Sequence, residues 1–291
     1  VALRLIYRQG FAAMNLRDLA AEVGIRPSSL YNHIASKQEL LLSVMGHTMD
    51  DLMAEMTEAV AAQDDTIDRL ITFVVGAAAI LALIAIWKSA ERTTLRLRLA
   101  VLIALGVPLQ AVIGGFTVLS DLNPWVVGLH LVLSIIMVAL AAWLVFDLSA
   151  AYGSSESTTS RLSITAYVVL AASIYLGTVV TGAGPHAGDA EALRNGLDPE
   201  TWSRLHALSM WLFTAIMLVL LWRLRAHPAR NRAILVLLVT LAQGAIGYAQ
   251  YFTGLPIPLV LLHLAGATVL LIVSTWFLAA TAKTPATVAA K

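Results

Sequence analysis

Three histidines in apolar surroundings carry the most chemistry in this sequence. "LQAVIGGFTVLSDLNPWVVGLHLVLS" overlays "AQGAIGYAQYFTGLPIPLVLLHLAGA". Gln110 then matches Gln243, Ile113 matches Ile246, Gly114 matches Gly247 and His130 matches His263. A third histidine, His206, opens another apolar run. A lone imidazole in such a run can hydrogen-bond a neighbouring helix, or it can ligate a metal; imidazole is a standard axial ligand of haem iron. Ionisable residues inside apolar spans are functional candidates by default. Two repeat-related histidines and a third at matching depth favour haem ligation. On this reading His206 begins its helix and His263 lies a few residues into its own, an offset of about 6 Å at the helical rise. Two neighbouring helices would then present both imidazoles to one flat ligand. Gln110 and Gln243 either orient a propionate or bond between helices. Gly114, Gly115 and Gly247 are expected to allow close packing, and His227, in a basic loop, to be solvated.

The elements that must position these residues follow from composition. Of 291 residues, 59% are hydrophobic and 13% charged, against about 25% charged in ordinary soluble domains. A soluble fold cannot hide that much apolar surface, so the class is a polytopic membrane protein. With no cysteine, disulfides, thiolate metal sites and cysteine nucleophiles are excluded. Seven apolar runs approach the roughly 20 residues that span a bilayer: 70–87, 99–119, 125–146, 164–182, 204–222, 234–252 and 259–280. The expected fold is all-α: a seven-span helical membrane bundle with an internal repeat, in two halves around a pseudo-symmetry axis. Basic residues gather at 88–98 and 223–233, which places those loops and the C-terminal tail in the cytoplasm. The turns "SDLNPW" and "TGLPIP" carry no basic residue and the 184–204 loop is mostly acidic, so these face outward. Seven spans then put the start of the first span outside.

The front of the chain differs. Leu16, Leu19, Ala20 and Val23 make an apolar helix face, and Gly24 suits a turn because it tolerates a left-handed backbone. Ser28 or Ser29 is expected to cap a second helix, anchored by Leu30, Tyr31 and Ile34. This pattern predicts a helix-turn-helix, whose second helix enters the major groove of DNA. Arg26, Ser28, Ser29, Tyr31, Asn32, His33 and Lys37 are the candidate DNA contacts. The expected organisation is a DNA-binding segment over 1–62, a membrane domain over 63–282 and a tail over 283–291.

"GFAAMNLRDLAAEVGIRPSSLYNHIASKQELL" resembles the DNA-binding region of TetR-type repressors, over about the first 50 residues. The resemblance implies recognition of paired half-sites by a dimer. The chain is expected to start inside that family's first helix and to lack its ligand-binding core.

"GVPLQAVIGGFTVLSDLNPWVVGLHLVLS", "LGTVVTGAGPHAGD", "RLHALSMWLF" and "LLHLAGATVLL" resemble a bacterial heme A synthase, from about Arg69 to Ala280. That resemblance implies a multi-pass enzyme of the bacterial plasma membrane with a cytoplasmic C-terminus. Its eight spans form two four-helix halves, and it oxidises the C8 methyl of haem O to the formyl of haem A, with electrons passing through a protein-bound haem b. It assigns haem b to His206 and His263, and the substrate haem to His130. It places His186 of "GPHAGD" in an outer loop, as a propionate contact or a loop-shaping residue. It also implies work beside a haem O synthase or a terminal oxidase assembly. The family's first span and first outer loop are not found. Its Glu-x-x-His/Asn-Arg pattern is met by "DTIDR", with Asp65 at the Glu position and Asp68 at the His/Asn position. Asp65 is therefore the candidate catalytic carboxylate, beside His130. Two alternatives stand: a membrane-tethered TetR-like regulator binding DNA, and a non-functional fusion of two unrelated segments.

Overall fold

The computed structural model describes residues 15–31, 36, 39–40, 66–149, 157–185 and 193–281, with backbone alone for Tyr31, residues 66–69 and Ser157. Asn32, His33, Lys37, Asp65 and His186 lie outside the described residues. The chain forms two compact units, Val1–Gly76 and Ala77–Lys291.

In the first unit, α1 (Leu16–Val23) is capped by Asn15, whose side chain accepts from Asp18 N at 2.8 Å. It ends at Gly24, left-handed at φ 75, the usual way to satisfy a helix's last carbonyls. Leu16, Leu19 and Ala20 are buried, as are Leu30 and Leu40. The short α2 (Pro27–Tyr31) begins at Pro27, a first-turn residue whose missing N–H costs the helix nothing. Ser28 and Ser29 therefore sit in the first turn and not at the cap, contrary to the sequence expectation. Both serines and Arg26 are exposed.

Among the described residues, seven helices are long and apolar enough to cross a membrane: α3 (Thr66–Lys88), α4 (Thr94–Leu119), α5 (Pro124–Ser149), α6 (Ser157–Ala183), α7 (Pro199–Arg223), α8 (Arg230–Phe252) and α9 (Ile257–Thr281). Each contains one expected run, extended by polar turns that hydropathy misses. The Thr93 side chain accepts from Arg96 N at 3.2 Å, so α4 starts five residues early. The Asp198 carboxylate accepts from Thr201 N at 2.8 Å and from the Thr201 hydroxyl, so α7 also starts early. These bonds hold Asp198 below the usual carboxylate range, the hydroxyl contributing most.

The early start of α7 corrects the expected offset between histidines. His206 is the eighth residue of its helix, while His263 and His130 are each the seventh of theirs. One residue of helix is about 1.5 Å, so the three histidines sit at nearly the same distance from the starts of their helices.

Helices α6 to α9 close into a four-helix bundle: α6 packs on α7, α7 on α8, α8 on α9 and α9 on α6. On this bundle α5 packs against α6 and α9, and α4 against α5. Tyr167 OH lies 2.8 Å from Thr275 Oγ1, joining α6 to α9, and Trp276 Nε1 donates to Ala142 O at 2.9 Å, joining α9 to α5. In α3, Ala79, Ile80, Leu83 and Ile86 form a buried stripe.

The repeat reaches the backbone. Asp121 and Leu122 end α4 at φ 51 and 53; Gly254 and Leu255, their counterparts, end α8 at φ 77 and 60. Leu122 N donates to Thr117 O at 3.0 Å and Leu255 N to Gln250 O at 2.8 Å. These are the same helix-stop bond at matched positions. One level of the bundle thus carries these turns and the histidines, while the opposite level carries the arginine clusters at 92–98 and 223–232.

Side-chain burial is concentrated at the basic level. In α9 the buried residues run from Leu270 to Thr281, with none from Ile257 to Val269. In α5 they are Ala142, Leu144, Phe146 and Asp147, and in α7 Phe213, Met217 and Leu220. The apolar core therefore anchors α5, α7 and α9 chiefly at the basic end, while α6 is buried along its length, from Thr159 to Val179.

Candidate functional site

Each of the three histidines rests on a glycine of the adjoining helix. A Cβ on Gly114 of α4 would lie 3.2 Å from His130 Cε1 of α5. A Cβ on Gly247 of α8 would lie 3.2 Å from His263 Cε1 of α9, and one on Gly177 of α6 would lie 3.3 Å from His206 Cε1 of α7. Small residues let membrane helices approach closely; here the space gained is filled by an imidazole.

His206 and His263 come together. Their ring centres are 6.4 Å apart with planes at 78°. A metal–imidazole bond is about 2 Å, and a ring nitrogen lies about 1 Å from its ring centre, so two axial imidazoles on one metal have centres about 6 Å apart. The observed spacing fits a shared axial pair. His206 Nδ1 lies 2.8 Å from Ser173 O, a carbonyl that can only accept. The proton of a neutral His206 is therefore on Nδ1, and Nε2 keeps the lone pair a metal requires. No cluster of three or more His, Asp or Glu forms among the described residues. Haem brings its own four nitrogens and requires only axial ones.

The glutamines sit where the sequence left two readings open, and they bond between helices. Gln243 Nε2 donates to His263 O at 2.8 Å. Gln110 Nε2 donates to Ser134 Oγ at 3.0 Å and, at 3.4 Å, to His130 O. Each amide thus grips the backbone of its repeat's histidine. Gly266 leaves room for this, since a Cβ there would fall 2.6 Å from Gln243 Oε1. His130 Nδ1 and His263 Nδ1 are buried without a hydrogen-bond partner, so the glycine seats and the glutamine grips orient those two helices' histidines. Replacing Gln243 with leucine removes one buried hydrogen bond, worth about 1 kcal/mol. A haem held between His206 and His263 would then be lost several-fold faster, as measured by transfer to a haem-scavenging protein.

Ser173 and Gly177 were missed by sequence reasoning. The signal was present: Ser173-x-x-x-Gly177 is a small-xxx-small pattern, which marks a helix contact. His227 is half-buried and accepts from Ala229 N at 3.0 Å, ahead of α8, and so has a local structural role beyond the expected solvation.

This architecture is that of a multi-pass membrane protein with an internal repeat and histidines seated at one level. Residues 47–275 match the family COX15-CtaA, "Cytochrome oxidase assembly protein", and the chain belongs to that family. It is 30% identical over 236 residues to the heme A synthase of Rhizobium johnstonii, covering 69% of this chain and 63% of that protein. The heme A synthase of Rhizobium etli gives the same identity and coverage. The chain thus spans less than two thirds of the length of these curated relatives. Residues 1–44 match "Bacterial regulatory proteins, tetR family". The HTH-type transcriptional repressor KstR2 of Rhodococcus jostii is 33% identical over 75 residues, covering 25% of this chain and 37% of that protein. No solved structure matches the chain.

Proposed function

We propose that this chain is a heme A synthase-type membrane oxidoreductase. It would convert haem O to haem A by oxidising the C8 methyl group, with haem b between His206 and His263 and the substrate haem at His130. The observation that carries this reading is the 6.4 Å spacing of the His206 and His263 rings, with Nε2 of His206 left as the lone-pair nitrogen by the bond to Ser173 O. Family membership and the two heme A synthases support the same chemistry.

When bound, haem b supplies a one-electron redox centre. The chain's own residues would hold it in place. The Gly177 and Gly247 seats let the imidazoles meet at one level, Ser173 fixes the tautomer of His206, and Gln243 grips the α9 backbone at His263. His130 repeats the arrangement over Gly114, with Gln110 as its grip. The clusters at Arg92, Arg96 and Arg98 and at Arg223, Arg225, Arg230 and Arg232 favour a cytoplasmic basic level, which puts the histidine level near the outer face of the plasma membrane.

The test is direct. Purified full-length protein is incubated with haem O and an electron acceptor, and the extracted haem is analysed by mass and by the reduced spectrum. The expected result is a co-purifying low-spin haem together with a formyl-bearing product. A protein that retains no haem and yields no such product overturns the proposal.

A further inference from the structure

The two copies of the repeat differ at the position next to the histidine seat. Gly115 follows Gly114; Tyr248 follows Gly247. A Cβ on Gly115 would meet nothing within 4 Å. Beside it runs a cavity of about 420 Å³, lined by Gly115, Phe116 and Leu119 of α4 and by Val126 and Leu129 of α5, among other apolar residues. That volume falls among small-ligand pockets, about 300–1,000 Å³. Two of its lining residues, Gly115 and Leu129, are the chain neighbours of Gly114 and His130. Phe116 and Leu119 are exposed, so the groove opens sideways along the apolar surface of the hairpin.

In the second copy the matched position carries a tethered aromatic ring. The Tyr248 ring stacks on Phe252, the counterpart of Leu119, with centres 6.3 Å apart and planes at 14°. The Tyr248 hydroxyl accepts from Trp211 Nε1 of α7 at 3.1 Å. An aromatic ring tied to α7 thus occupies the position that Gly115 leaves empty in the first copy.

We propose that Gly115 and Tyr248 determine which porphyrin each half accepts: the Gly115 groove takes the long isoprenoid chain of a haem bound at His130, and Tyr248 denies that chain a place beside the His206–His263 pair. This rests on His130 facing the substrate haem. Haem O and haem b share iron, ring and propionates, and differ chiefly in one substituent, a long hydroxylated isoprenoid chain in place of a short vinyl group. Axial imidazoles cannot discriminate between them. Apolar volume beside the ring can, by contact with the chain in one half and by steric exclusion in the other, which is how specificity is built from both favourable and unfavourable terms.

The test uses full-length protein with the His206–His263 site loaded, titrated with haem O and separately with iron protoporphyrin, followed by the Soret band. Wild type is expected to prefer haem O at His130 by about tenfold or more, the equivalent of one decade in Kd. Gly115→Tyr should erase that preference by weakening haem O alone, leaving iron protoporphyrin binding and the second-half spectrum unchanged. Gly115→Leu should fall between. Equal weakening of both porphyrins, or no change in either, as expected if a lipid acyl chain occupies the groove, overturns the proposal. Should Gly115→Tyr disturb the second-half spectrum, Tyr248→Gly decides: it should admit haem O to the second half in competition with haem b, and continued exclusion overturns the assignment. If wild type takes up neither porphyrin at His130, the reading of His130 fails and this inference with it. If both bind without preference, the inference alone fails.

Discussion

Alanine at both His206 and His263 is expected to abolish the low-spin haem spectrum of the purified protein. The two rings are the pair the structure brings within reach of a single iron, with centres 6.4 Å apart, and each packs on a glycine of the adjoining helix. The single changes should differ from the double. With one ligand left, a five-coordinate iron shifts towards the high-spin spectrum, and the haem dissociates more readily. His206→Ala is expected to cost more than His263→Ala, because His206 is the ring whose tautomer is fixed by Ser173 O at 2.8 Å, and such outer contacts are commonly worth 10–100-fold, roughly, in affinity. His130→Ala leaves the pair intact and should leave its spectrum unchanged. Reduced-minus-oxidised spectra of the four variants provide the measurement. A low-spin signal that survives in the double variant sinks the ligand assignment.

Asp147→Ala is expected to destabilise the membrane domain by about 2–3 kcal/mol. At the basic level Arg96 Nε donates to Asp147 Oδ2 at 2.6 Å, with a second bond from Arg96 to Asp147 O at 2.8 Å. The Asp147 side chain is 8% exposed and that of Arg96 17%, so removing the carboxylate strands a cation in poorly hydrated surroundings. A fully buried pair broken on one side costs about 3–5 kcal/mol. The value here is lower because Arg96 also donates to Glu91 O at 3.1 Å and reaches the exposed Glu91 carboxylate at 3.7 Å. Asp147→Asn keeps an acceptor and should lose less. Leucine at both positions removes both charges and should come close to wild type, since replacing a buried pair with apolar groups is often neutral. Thermal unfolding in detergent distinguishes these cases: a wild-type melting temperature for Asp147→Ala would show that the pair does not hold α4 to α5.

Much of this protein was legible in its sequence because a lipid-spanning helix has to satisfy a simple rule. Its backbone bonds internally, and its side chains are apolar for about 20 residues. All seven runs became helices for that reason. Errors fell where the rule stops. Polar caps such as Thr93 and Asp198 add helical turns without hydropathy, and the extra turns of α7 moved His206 from the start of its helix to the level of His263. The front helix-turn-helix was readable from its apolar face and Gly24, while its second helix began at Pro27, one residue before the serines expected to cap it.

The sequence by itself determined the repeat, the candidate histidines and the glutamines, because repeats and residue types are properties of order along the chain. Pairing is not. That His206 meets His263, while His130 lies over Gly114, was decided by which helices pack, and so by the closure of α6 to α9 into one bundle with α5 against it. The sequence left open whether Gln110 and Gln243 reach a ligand or a neighbouring helix; the helix separation, set by Gly266 and the close α8–α9 contact, turned Gln243 to the His263 carbonyl. The Arg96–Asp147 pair and the Tyr248–Trp211 hydrogen bond follow the same logic. Each joins residues far apart in sequence, and only tertiary packing brings them within bonding distance.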